Sequence, residues 1–216
     1  MSRSTKINVA LIAVAALIFA GLVVFLNPEE DSPTPEPGSG TAATAQLVRE
    51  DSPRLSEAGD VVFVEFLDFE CEACLELYPT IEEIRAEYGD RVTFVVRYLP
   101  LHTNSVEAAQ AAEAARDQGQ FEAMYKALFD NATEWGHQET SQREAFFSYA
   151  EELGLDMERF EQVYDDPATL ERIQQSAADA EALGVTSTPT FFVDGQRLEP
   201  TRVEDLTDPL DDALDG

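Results

Sequence analysis

The 216-residue chain has two cysteines, three apart, in the run Cys71-Glu72-Ala73-Cys74. A loop that short removes little entropy from the unfolded chain, so the pair fits a reactive dithiol better than a structural staple. It sits where an apolar run gives way to a helical pattern. Free amides at a helix N-terminus, together with the helix dipole, favour negative charge. Cys71 is therefore the expected attacking thiolate, and Cys74, one turn inside and more buried, the thiol that resolves a mixed disulfide. Structural zinc is the competing use of this spacing, but it needs four ligands. Only His102 and His137 could complete the set, and they lie far apart in sequence. No metal is expected.

The elements around the motif follow from hydrophobic periodicity. Val61 to Leu67 is a β-branched and aromatic run that reads as a strand buried on both faces. Glu72 to Tyr88 reads as a helix with Leu75, Tyr78, Ile81 and Ile84 along one side. Gly89-Asp90 ends it, and Arg91 to Tyr98 is a second buried strand, parallel to the first. From Asn104 to about Gly184 the pattern is helical throughout, with caps expected at Asn104 (with Glu107), Ser141 (with Glu144) and Asp166-Pro167. Phe121, Met124, Phe146 and Phe147 fall at helical spacings and read as core. Thr190 to Val193 is a strand, Asp194-Gly195 a hairpin turn, and Leu198 lies on a short return strand. Thr201 with Glu204 caps a closing helix. The order is βαβ, a helical insertion, then ββα.

Outside this region the sequence reads as an anchor and a tether. Arg3 and Lys6 precede 18 apolar or glycine residues, Val9 to Leu26, and Glu29, Glu30 and Asp31 follow. At about 1.5 Å per residue the run spans most of a ~30 Å hydrocarbon core, and its flanks put the N-terminus inside. Residues 1–26 are thus expected to be a cytoplasmic stub and a single transmembrane helix, which leaves the catalytic domain outside the cytoplasm. A cleaved signal peptide is the rival, although the run is long for one. Residues 27–46, rich in Pro, Gly and Ser, read as a disordered tether, and 47–216 as the folded domain. With 43 acidic against 14 basic residues and a formal charge of −29, nucleic acid is excluded as a partner.

In order and spacing these motifs resemble the thioredoxin superfamily, and the helical insertion narrows the likeness to its DsbA-like branch. Glu65 lies six residues before Cys71, where thioredoxin-like proteins carry a buried acid. Pro79 lies five after Cys74, where thioredoxin's active-site helix has its kinking proline. Tyr98-Leu99-Pro100-Leu101-His102 closes the second strand much as in DsbA-like proteins, and an alanine-rich helix and Gly119-Gln120-Phe121 follow. Gly184-Val185-Thr186-Ser187-Thr188-Pro189-Thr190-Phe191-Phe192-Val193 is similar to the family's cis-proline loop. The likeness covers about residues 47 to 214.

The resemblance implies an α/β thioredoxin-like fold with an inserted helical domain at about 104–184. It also implies a cis Thr188-Pro189 peptide beside Cys71, where the Thr188 backbone pairs with an extended substrate. Glu65 would take the proton of Cys74 during resolution, its pKa raised by desolvation. A solvent-facing Glu on an edge strand is the plain alternative. Glu72 and Ala73 depart from the family's strongest oxidants, which place a His before the second cysteine. Glu72, Glu70 and Asp68 instead add negative charge, each costing about 1 kcal/mol at ~8 Å and an effective dielectric of ~40. The Cys71 pKa is therefore expected below a free thiol's but above that of the strongest oxidants. His102 reads as a loop residue lining the site, and His137 and Trp135 as parts of the insertion.

The function expected is dithiol–disulfide exchange with exported proteins. It needs no cofactor, and a membrane redox partner would re-oxidise the pair. A reductase of extracytoplasmic disulfides is the rival enzyme. A non-catalytic thioredoxin-like binding or chaperone module is the rival from another class.

Overall fold

The computed structural model describes residues 45–56 and 59–216. The expected anchor and nearly all of the expected tether lie outside the described residues. Among the described residues no helix is long and apolar enough to cross a membrane.

Strand β1, Val61–Leu67, is the central element. It pairs in parallel with β2, Val92–Tyr98, from Val61 opposite Val92 to Leu67 opposite Tyr98. The crossover that a parallel pair requires carries helix α1, Glu72–Tyr88. On its other side β1 pairs antiparallel with β3, Thr190–Val193, which turns back into β4, Gln196–Leu198. The sheet order is β2-β1-β3-β4. Asp194 and Gly195 both take positive φ (46° and 84°), as the tight hairpin between β3 and β4 requires. Asp194 Oδ1 also accepts the Val62 N–H at 2.8 Å, tying the turn to β1.

Between β2 and β3 run α2, Ser105–Arg116, α3, Phe121–Asp130, α4, Ala132–Trp135, α5, Arg143–Glu152, α6, Met157–Tyr164, and α7, Pro167–Ala182. Helix α8, Glu204–Asp215, closes the chain. Alternation along β1 decides what each sheet face buries. Phe63, Glu65 and Leu67 face the side of α1 and α8, where Phe63 packs with Ile81, Ile84, Leu206 and Leu210. Val64 and Phe66 face α7 and pack with Ala180, Val185 and Phe192. Phe121, Met124, Phe146 and Phe160 form the core of the insertion with the alanines of α2.

Two expected caps form differently. Asn104 makes no side-chain cap on α2, and Glu107 turns away to accept from Gln142 N and Ser141 Oγ at the start of α5. At α8 it is Asp205, not Glu204, that accepts from the Thr201 amide and hydroxyl at 2.9 Å each. Asp166 caps α7 as read, taking the Ala168 N–H with Pro167 at the first position.

The start of the domain is fixed by charge. Arg97 on β2 is buried, donating to Asp179 of α7 at 2.6 Å and to the carbonyls of Gln46 and Leu47. Asp179 also holds Arg49. Removing one partner of a buried pair leaves the other charge uncompensated. Asp179→Ala is therefore expected to lower unfolding free energy by about 3–5 kcal/mol in urea denaturation, and a loss below ~1 kcal/mol would show the pair to be dispensable.

Candidate active site

Cys71 occupies the N-cap position of α1 in extended conformation (φ −78°, ψ 123°), and its own N–H donates to Asp68 O at 3.1 Å. The β1–α1 turn therefore aims the sulfur along the helix axis, at the unpaired amides of the first turn. Cys71 retains 8% exposure against 1% for Cys74, so an incoming sulfur can reach only the first cysteine. Thr188-Pro189 is a cis peptide, and it brings the Thr188 carbonyl within 3.4 Å of Cys71 Sγ. The Thr188 hydroxyl is buried with no other partner among the described residues. Cys71, Cys74, Glu72, Ala73, Thr188 and Pro189 thus meet at one end of the sheet.

The two sulfurs are driven apart in acidity. The Cys74 thiol donates to Cys71 and pulls the Cys71 pKa down to about 5; burial opposes this, while the Thr188 hydroxyl and the amides of Cys74 and Ala73 assist. That lies below a free thiol and above the ~3.5 of the strongest oxidants. Cys74 is pushed up by the same hydrogen bond, by burial and by repulsion from Glu65.

Glu65 lies on the inner strand of the sheet, flanked by β2 and β3 and 5% exposed, so the solvent-facing alternative does not apply. Desolvation raises its pKa to about 8; Glu82 and the Cys71 thiolate add repulsion, and Arg85 opposes. Cys74 lies within its electrostatic reach, as a proton acceptor for the resolving thiol requires.

Sequence reasoning counted the acids that precede the motif but not their partners. Asp68 and Glu70 are 2% and 4% exposed, with their oxygens hydrogen-bonded. Asp68 Oδ1 accepts from Glu70 N at 2.8 Å, and Oδ2 takes Leu101 N and meets His102 Nδ1, both at 2.7 Å. Glu70 accepts from Asn104 N at 2.6 Å and from His137 N at 2.7 Å. This draws together two histidines distant in sequence, with ring centroids 5.7 Å apart and nearly perpendicular. His137 Nε2 lies 3.2 Å from Glu72. The signal was two acids beside Phe69 at a strand end, where solvent is excluded. Among the described residues no three of His, Cys, Asp and Glu are arranged to hold a metal ion. A cavity of about 230 Å³ adjoins the motif, lined by Phe69, Leu75 and Ala132 with Glu72 and His137.

A redox dithiol at a strand-to-helix turn, facing a cis-proline loop, defines a thioredoxin-fold oxidoreductase. Residues 56–212 match the family described as thioredoxin, and the chain belongs to it. A thioredoxin-like oxidoreductase from Silicibacter pomeroyi DSS-3 is 30% identical, with a TM-score of 0.67 over 80% of this chain and 98% of that one. The fold is also that of alpha-DsbA2 from Wolbachia pipientis, a thiol-disulfide exchange protein, at 20% identity and a TM-score of 0.68 over 83% of this chain and 100% of that one. The chain is also 42% identical over 142 residues to the Na(+)/H(+) antiporter NhaA of Herminiimonas arsenicoxydans, 66% of this chain and 22% of that protein. It spans between 22% and 32% of the length of the first curated relatives of that name.

Glu65 carries a stability signature. Its folded pKa of about 8 stands above the ordinary 4.5, so the folded state holds the proton more tightly and stability falls as pH rises through that window. The cost at pH 9 is up to ~5 kcal/mol. Glu65→Gln is expected to match the parent at pH 4 and to exceed it by several kcal/mol at pH 9 in denaturant titrations, and equal curves at pH 9 would remove the buried charge from the account.

Proposed function

We propose that the protein is an extracytoplasmic thiol–disulfide oxidoreductase that forms disulfides in exported proteins through Cys71 and Cys74. The observation that carries this reading is the placement of Cys71 at the N-cap of α1, 3.4 Å from the Thr188 carbonyl of the cis-Pro189 loop, with Cys74 more deeply buried one turn on. In the oxidised form a substrate thiolate attacks Cys71 Sγ; the Cys71–Cys74 bond breaks and Cys74 leaves, taking up a proton. A second substrate thiol then attacks the mixed disulfide and expels Cys71 as its stabilised thiolate. The substrate loses two electrons and two protons; the reduced pair gains both electrons and, at Cys74, one proton, and the other proton passes to solvent while Cys71 stays a thiolate.

Glu65 serves the proton traffic of Cys74, directly or through water. The Thr188 carbonyl and the cis Pro189 offer an extended peptide a backbone partner beside the sulfur. Re-oxidation falls to a membrane redox partner. The apolar run at residues 9–26 supports an anchored domain with its N-terminus in the cytoplasm. The match to a segment of proteins named as sodium–proton antiporters, whose activity requires a membrane, also supports a station there.

A stabilised thiolate favours the dithiol form, which makes the disulfide oxidising. A Cys71 pKa between those of thioredoxin and the strongest oxidants sets the expected reduction potential between about −120 and −200 mV in glutathione buffers. A value near the ~−270 mV of thioredoxin would reverse the direction to that of a reductase. In oxidative refolding of a reduced substrate, Cys71→Ser is expected to abolish catalysis and Cys74→Ser to accumulate mixed disulfide at Cys71. Undiminished catalysis by Cys71→Ser would leave only a binding module.

A further inference from the structure

The Cys71-Glu72-Ala73-Cys74 motif carries no cation of its own, and Asp68, buried against it, is a carboxylate whose backbone carbonyl already bonds the Cys71 amide. The amides of Glu70 and Leu101 hydrogen-bond its oxygens but leave its net charge, which would oppose a thiolate at Cys71. Among the described residues one charged group answers it. His102 Nδ1 meets Asp68 Oδ2 at 2.7 Å, and the carboxylate side chain has no exposure while the imidazole keeps 31%. We propose that His102, clamped by Asp68, supplies the cation that cancels this buried carboxylate and holds the Cys71 thiolate. The inference rests on the proposed exchange chemistry at Cys71 and adds a residue that the dithiol motif does not contain.

Four other groups face or adjoin the imidazole. Glu70 lies behind it and is occupied by the amides of Asn104 and His137. His137 meets it edge-on from the loop after α4, and pairs in turn with Glu72 at 3.2 Å. Cys71, three residues after Asp68 and bonded through its amide to the Asp68 carbonyl, lies within electrostatic reach of the ring from the start of α1. Ser105 Oγ accepts the His102 amide at 3.2 Å and fixes the loop. The two histidines are not equivalent. His137 and Glu72 are 50% and 76% exposed, and an ion pair so hydrated contributes little. His102 faces a carboxylate without solvent, which favours its charged form. Burial works against that charge, but Asp68, the Cys71 thiolate and Glu70 outweigh it and raise the His102 pKa.

Such an interaction is reciprocal: if the thiolate favours the imidazolium, the imidazolium favours the thiolate by the same factor. A merely structural histidine, holding the loop to Asp68, would not sense the redox state of the cysteines. Imidazole protons of the full chain can therefore be titrated by NMR in the dithiol and disulfide forms, with His137→Gln separating the two rings. His102 is expected to bind its proton about three- to tenfold more tightly in the dithiol form, where Cys71 is charged. Equal titration in both forms would overturn the proposal, and needs no change at position 102. In His102→Gln, the ultraviolet absorbance of the thiolate is expected to show Cys71 holding its proton about three- to tenfold more tightly, with the glutathione equilibrium displaced toward the disulfide. His137→Gln is expected to shift Cys71 less. An unshifted Cys71 in His102→Gln would defeat the role of His102 and leave exchange through Cys71 standing. A parent protein inert in refolding would defeat the exchange reading, whatever His102 does.

Discussion

The structure turns on how a strongly acidic chain buries carboxylates. Glu65, Asp68, Glu70, Glu113 and Asp179 are all withdrawn from water, and each must find compensation or give up its charge. Four find partners. Asp179 gathers Arg49 and Arg97 and fixes the beginning of the domain to β2 and α7. Glu113 gathers Arg116 and Arg172 and receives the Tyr98 hydroxyl. Asp68 and Glu70 collect backbone amides and His102. Glu65 makes none of these bonds and takes the other course, holding its proton to about pH 8. That difference separates the structural acids from the one suited to proton transfer.

Much of this order was written in local sequence. The apolar run at Val61–Leu67 and the periodicity of Glu72–Tyr88 leave few choices, because each pattern buries its surface in only one way. The motif between them inherits its chemistry from that junction. The cis peptide at Thr188-Pro189 and the partnership of Glu65 with the cysteines were legible through family likeness, not through any local propensity, since each depends on contacts across the fold. The caps of α2 and α8 show the limit from the other direction. Glu107 has the spacing for its own helix end, yet the Ser141–Gln142 turn offers it two donors from a distant loop. Tertiary partners outbid a local pattern of modest strength.

The histidines were illegible for the same reason. Nothing in the separation of His102 from His137 indicates that their rings approach to 5.7 Å. The approach is produced by Asp68 and Glu70, two residues apart on the turn that leads into Cys71, whose oxygens reach the loop before α2 and the loop after α4. Counting acids near the motif leaves out the donors that the fold sets against them. Charges counted along a chain act at their full value only if they stay solvated, unpaired and on one side of the site.

That distinction bears on direction. Of the three acids near Cys71, only Glu72 projects into solvent, where it pairs with His137 and where ions screen it within about 8 Å. The other two are part of the wall, with oxygens turned to amides and to His102 and away from the sulfur. Meanwhile the Cys74 thiol, the Thr188 side chain and the first-turn amides all favour the charged form of Cys71. Short-range donors in a dry site outweigh a screened carboxylate in water, because the same separation in low dielectric multiplies the interaction several-fold. The acidic spelling of the motif is therefore a weak argument for a reductant, and the geometry around the sulfur is consistent with the proposed direction, a disulfide that accepts electrons from substrate thiols.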